Sequence, residues 1–165
     1  MIRHCGISLP LSSMPSSRSW GIGEIPDLVP MGQWLQAASY DQLMLLPVGT
    51  MATGQSSPYS ACSAMAIDPI YLSIEGIEDF SRAGGLESLS SDACRWLGEV
   101  RASSLVLFAQ VRDLKEIALW IAFRQFVSDE WDERSIRAGD FAAFAHRERW
   151  WLDDYALFQA CAAEW

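Results

Sequence analysis

Residues 54–69, GQSSPYSACSAMAIDP, carry a tyrosine, an amide and a row of hydroxyls, with no charge before Asp68. Those residue types suit a carbohydrate. An aromatic ring covers the apolar C–H face of a pyranose, and neutral hydroxyls and amides match its alcohols. Tyr59 with Gln55, Ser56, Ser57 and Ser60 supplies that set. A plain polar loop whose tyrosine covers a strand end has the same composition, and the segment by itself does not separate the two.

Other candidates carry less chemistry. Asp153 and Asp154 in WWLDDYALFQA form a carboxylate pair. Glycoside hydrolysis needs two carboxyls flanking the scissile bond, roughly 5 Å apart or more. Neighbouring helical residues point about 100° apart and do not face each other. In the first turn of a helix beginning at Trp151 or Leu152, both aspartates would simply complement the helix dipole. Gly21 and Gly23 lack the third glycine of a dinucleotide fingerprint and the Lys-Ser/Thr of a P-loop, so they read as turn glycines. His4 and His146 have no recognisable partners in the sequence, and Ser-His-Asp chemistry is unsupported. Trp96, Trp120, Trp131, Trp150 and Trp151 read as core or inter-helix packing. Cys5, Cys62, Cys94 and Cys161 are widely spread with no C-x-x-C. That argues against a zinc site and for reduced thiols in a cytoplasmic protein. No metal or other cofactor is expected.

The 165 residues suffice for one domain with a real core, and half of them are hydrophobic. The formal net charge of −9 repels phosphate backbones, so nucleic acid is excluded as a partner. No stretch approaches the roughly 20 apolar residues that span a bilayer, so no membrane partner is expected. The N-terminal apolar piece is too short for a signal peptide.

The elements that must position the loop follow from pattern. All 7 prolines precede Ile70, a sharp shift in composition. Cys5 to Leu11 reads as a buried strand. Residues 27–38 read as an amphipathic helix, with Asp27 as N-cap and Pro30 tolerated in its first turn. Residues 42–48, QLMLLPV, lack alternation, which predicts a parallel strand buried on both faces. Strand, helix and strand make a βαβ unit. The loop at 49–69 then leaves the C-terminal end of the second strand, where ligands bind in α/β folds. Farther on, a helix is predicted over Asp92–Arg101, capped by Ser90 or Ser91. Another covers Leu105–Phe126, with Leu105, Phe108, Val111, Leu114, Ile117 and Ile121 on its apolar stripe and Lys115 off it. Two more cover Asp140–Arg149 and Trp151 or Leu152 to the end.

RHCGISLPLSSMPS, WGIGEIPDL, LMLLPVGTMATGQSSPYSACSAMAIDPIYLS and WWLDDYALFQA, in that order and spacing, resemble the N-terminal part of amylomaltases. These are the disproportionating 4-α-glucanotransferases of glycoside hydrolase family 77. SPYS followed nine residues after Tyr59 by Asp-Pro, together with WLDDYALF, is a specific combination. The likeness runs from Arg3 to about Glu164 and is poor only between Ala83 and Val100.

The resemblance implies an α/β fold: the N-terminal part of a (β/α)8 TIM barrel, left incomplete, then a mostly helical insertion. Residues 1–82 would be the barrel segment with its substrate loop at 49–69, and residues 83–165 the insertion. It implies retaining transfer of α-1,4-glucan segments between maltodextrins. Tyr59 would stack on or border the glucose at the cleavage site, Ser57 would bond a neighbouring sugar hydroxyl, and Gln55 belongs to the same wall. Where family members commonly have Gly-Asn-Pro, this chain has Ile67, Asp68 and Pro69, and Asp68 would take the amide's role as an acceptor. The family's catalytic carboxylates come from later strands, beyond Trp165, so no catalytic residue is assigned. The expectation is an N-terminal fragment, inactive alone, whose partner is the C-terminal part of the barrel. The alternative is a non-catalytic module that binds maltodextrin or pairs with another chain.

Overall fold

Two short apolar runs about thirty residues apart can pair in parallel only if something returns the chain between them. Gly6–Leu9 (β1) and Gln42–Leu45 (β2) do so, with Ile7 opposite Leu43. The return passes through Leu28–Ala37 (α1), which packs on β2. These elements belong to a computed structural model that describes residues 3–52 and 54–163. Beyond them lie Glu78–Arg82 (α2), Ser91–Ala102 (α3), Phe108–Phe126 (α4) and Ile136–Ala163 (α5), the last two joined through a π-type turn at Val127–Trp131. The architecture is α/β with two parallel strands and a helical majority. Ser90 caps α3 as expected, its hydroxyl accepting from the Ala93 amide at 3.2 Å.

The expectation of a buried first strand and a second strand buried on both faces does not hold. Both alternate between exposed and half-buried residues, and Met44 is 62% exposed. An unalternating apolar run reports what a strand can tolerate on its two faces, and here the core has formed elsewhere. It gathers Leu11, Trp20 and Ile22 from the first long loop, Met51, Ile70, Tyr71 and Ile74 from the irregular middle, and Phe80, Leu97, Val111 and Leu114 from α2, α3 and α4. Residues on both sides of the 82/83 boundary therefore share it. Trp20 meets Phe80 edge to face at 6.0 Å. The GIG glycines serve this packing. Gly21 has φ +75°, and a Cβ at Gly23 would lie 1.9 Å from the Leu11 carbonyl oxygen.

Two helices depart from the pattern-based expectation. The stretch from Asp140 to Ala163 lies in one helix, α5, because nothing in RERWWLDD breaks it. Asp153 and Asp154 are consequently mid-helix and exposed, and first-turn dipole stabilisation does not apply to them. In α4 the buried stripe is Val111, Leu114, Lys115, Ala118 and Ala122, while Leu105 precedes the helix and Ile117 is exposed. Small alanines let α4 approach its neighbours closely, and Lys115 takes a place assigned to aliphatic residues. The tryptophans read as packing residues are also displaced. Trp96, Trp120, Trp131 and Trp150 are exposed and Trp151 is half-buried, whereas Trp20 is fully buried.

Lys115 is buried because each ammonium proton finds an acceptor. These are Glu24 Oε1 at 2.8 Å and the Ile70 and Leu72 carbonyls at 2.7 Å each. Glu24 also accepts from the Trp20 amide at 3.1 Å. Burial pulls the lysine below its ordinary pKa, and Glu24 opposes that pull. Lys115→Ala would leave the buried Glu24 carboxylate without its counter-charge and the Ile70 and Leu72 carbonyls without this donor. It is expected to cost about 3–5 kcal/mol, read as a lower urea midpoint.

At the open end of β1, Asp41 accepts from the Cys5 amide at 2.8 Å and pairs with His4 Nδ1 at 2.6 Å. The histidine thus has a partner that sequence spacing did not reveal. That hydrogen bond, then the one from Cys5, holds the Asp41 carboxyl below its ordinary value of 3.8. Its contribution to stability is complete above that value and is lost as pH falls through the lowered pKa. An NMR titration is expected to find Asp41 titrating below 3.8, and His4→Ala to move it upward.

Candidate functional site

The segment after β2 folds as a two-armed flap. Antiparallel bridges join Gly49 to Ile67 and Met51 to Ala61. Backbone bonds run from Thr50 N to Ala66 O at 2.9 Å, Cys62 N to Thr50 O at 2.8 Å and Ala52 N to Ser60 O at 3.0 Å. Gly49 is where the arms come closest, since a Cβ there would sit 2.4 Å from the Ser63 carbonyl oxygen. At the tip, Ser57–Ser60 form a turn closed by Ser60 N to Ser57 O at 3.0 Å. Pro58 stands at its second position, where its fixed φ is favoured.

The tip presents the residues singled out for carbohydrate chemistry. Tyr59 is 73% exposed, and Gln55, Ser56 and Ser57 are exposed beside it. The Ser57 hydroxyl accepts a long bond from the Tyr59 amide at 3.4 Å, which fixes the turn and leaves its proton free to donate. Beneath the flap, Pro47, Val48, Gly49 and residues 61–64 line an open depression of about 400 Å³. Tyr59 rises from the turn and is not part of that lining.

Asp68 is in a different situation from the other three predicted site residues. It is fully buried, and both carboxylate oxygens are engaged. Oδ2 accepts from Met51 N at 2.9 Å and Arg112 Nη2 at 2.8 Å. Oδ1 accepts from Ile70 N and Arg112 Nη1, each at 3.0 Å. In this arrangement the carboxylate ties both flap arms to α4 and has no surface to offer a ligand. Burial works against the Arg112 charge, but the bonds to Asp68 outweigh it and hold the guanidinium above its ordinary pKa. Next to this pair the buried Tyr71 phenol is pushed up, by desolvation first and then by the Asp68 charge.

Sequence reading brought Gln55, Ser57 and Tyr59 together at the tip and missed what holds them. Arg112 lies 44 residues from Asp68. Tyr155 on α5 lies 105 residues from Thr50, yet its hydroxyl meets Thr50 Oγ1 at 2.8 Å. The one available signal was a charged residue bordering an apolar helical stripe, which names no partner. His146 is exposed on α5, and Asp153 and Asp154 do not face each other.

The family model for 4-alpha-glucanotransferase, glycoside hydrolase family 77, matches residues 9–164. The chain is 30% identical over 156 residues to a 4-alpha-glucanotransferase of Chlamydia pneumoniae, covering 94% of this chain and 28% of that protein. It is 26% identical over 160 residues to 4-alpha-glucanotransferase DPE2 of Oryza sativa subsp. japonica, covering 94% of this chain and 16% of that protein. A third similar protein is the 4-alpha-glucanotransferase of Mycobacterium tuberculosis, 26% identical over 175 residues, 97% of this chain and 23% of that protein. The chain belongs to the 4-alpha-glucanotransferase family and spans between 16% and 28% of the length of these relatives.

Asp68→Ala would free two buried amides and leave Arg112 without its counter-charge. It is expected to lower the unfolding free energy by about 3–5 kcal/mol. Hydrogen exchange should quicken first at the Met51 and Ile70 amides.

Proposed function

We propose that this member of the family contributes one wall of an α-1,4-glucan site, with Tyr59 as the sugar-stacking residue and Ser57 and Gln55 as hydrogen-bonding partners. The observation that carries this reading is the form of the flap. A neutral tip with an exposed aromatic ring stands on a base fixed by a fully buried carboxylate. A tip built this way offers a ring and hydroxyls already oriented, so little ordering cost falls on binding. Asp68 acts from behind, as the residue that fixes the flap.

The activity served is glucanotransfer between maltodextrins by a retaining mechanism, in which a carboxylate nucleophile and a second carboxylic acid act on the glycosidic bond. Neither is assigned among these 165 residues. On this reading β1, α1 and β2 are the first βαβ unit of a (β/α)8 barrel, whose further strands pair along the sheet edges and cover the half-exposed strands. Residues 83–165 form a helical insertion that shares the core of residues 1–82.

Calorimetric titration with maltohexaose tests the site. The parent chain is expected to bind, and Tyr59→Ala to bind about tenfold more weakly, the scale of one lost aromatic contact. Equal affinity would remove Tyr59 from the site. Incubated with maltotriose, the 165-residue chain alone is expected to yield no glucose and no longer maltodextrins; clear production of both would overturn the assignment of the carboxylates to other polypeptide.

A further inference from the structure

The Asp68 clamp reaches the first arm at Met51, and a second hold on the same arm falls at the residue before it. Thr50 lies midway along one arm, 5% exposed, with every polar group in use. Its amide donates to Ala66, its carbonyl accepts from the Cys62 amide and from Cys62 Sγ, and its hydroxyl lies 3.2 Å from the Ala66 carbonyl oxygen and 2.8 Å from the Tyr155 hydroxyl. One helical turn beyond Tyr155, Gln159 Nε2 lies 3.7 Å from Cys62 Sγ. Residues four apart share a helix face, so α5 grips both arms with one face, at Thr50 on the first and Cys62 on the second. The Tyr155 ring is itself held, packed on Trp151 at 5.9 Å, and the Trp151 indole N–H donates to Glu148 at 2.9 Å.

We propose that Tyr155 is a positioning residue for the Tyr59 turn, acting through the Thr50 hydroxyl, so that α5 sets the height and tilt of the ring that meets the glucan. The proposal rests on the glucan-facing reading of the flap. Tyr155 touches no ligand itself. Its hydroxyl fixes Thr50, Thr50 fixes the register of its arm against Cys62, and Ala52 and Ser60 carry that register into the turn through their backbone bond. A phenylalanine would fill the same space against Trp151 and lose only this connection.

The test compares the parent chain with Tyr155→Phe, Thr50→Val and Thr50→Ser by amide hydrogen exchange and maltohexaose titration. Tyr155→Phe and Thr50→Val are expected to speed exchange at Ala52, Ser60 and Cys62 by about fivefold, the scale of one hydrogen bond. Val111 in the core should be unchanged. Thr50→Ser, which keeps the hydroxyl, should behave as the parent. Maltohexaose affinity should fall about threefold in Tyr155→Phe, at least as far in Thr50→Val, which also loses the Ala66 contact, and no further in the double variant than in Thr50→Val, because the Tyr155 bond is shared. Parent-like exchange at Ala52 and Ser60 in Tyr155→Phe overturns the positioning role. So does faster exchange with parent-like affinity. If the parent itself fails to bind maltohexaose, the glucan reading falls, while the exchange data still decide whether Tyr155 holds the flap.

Discussion

The molecule depends on two cations that α4 carries into an irregular interior. Arg112 and Lys115 lie three residues apart on one helix face and reach the same short 3-10 turn, residues 68–72. Asp68, Ile70 and Tyr71 in it are buried, and a single turn bonds only a few of its own backbone groups, so the others need partners from elsewhere. Here the ammonium takes the Ile70 and Leu72 carbonyls, and the carboxylate held by Arg112 takes the Met51 and Ile70 amides. Burying such charges costs several kcal/mol per ion unless hydrogen bonds complete the geometry. The geometry is complete here: among the described residues no buried side-chain polar atom lacks a partner.

This arrangement explains why the core and the flap are a single construction. Glu24 brings the first loop to Lys115, and Asp68 brings the flap to Arg112, so one helix face gathers two distant segments of the chain. Trp20, Ile22, Ile70 and Phe80 share one apolar core with Val111 and Leu114, the residues on α4 that neighbour these two cations in sequence. The flap inherits a rigid foot from this core, while its tip, with four neighbouring residues exposed, makes few contacts beyond its own turn.

A second network does for the helices what Asp68 does for the flap. Arg137 on α5 makes a two-pronged contact with Asp79 on α2, at 2.8 and 2.7 Å, and reaches Glu130 in the π-type turn at 2.9 Å. Glu130 also takes bonds from Arg82 and Ser135. The Ser135 hydroxyl, then Arg137 and Arg82, hold the Glu130 carboxyl below its ordinary pKa, and the acids raise that of Arg137. The corner between α4 and α5 is thereby set, and α5 is aimed so that Tyr155 arrives at Thr50.

Local pattern was enough to identify β1, α1, β2, α3 and α4 to within a few residues, and to put Gln55, Ser57 and Tyr59 together on one loop after β2, where the structure leaves them exposed. Capping at Ser90, turn formation at Pro58 and apolar periodicity are properties of near neighbours, and a sequence displays near neighbours directly. The choice among long-range options was not legible. α4 has enough apolar residues to bury more than one face, and only packing decided that Lys115 goes inward while Trp120 and Phe123 stay out. Asp68 reads from the sequence as an acceptor in the sugar-facing wall, and nothing local to it shows that Arg112, 44 residues away, takes its carboxylate. A charge states what it needs without stating which partner will supply it; chain entropy leaves distant pairings open, and only the closed fold decides them.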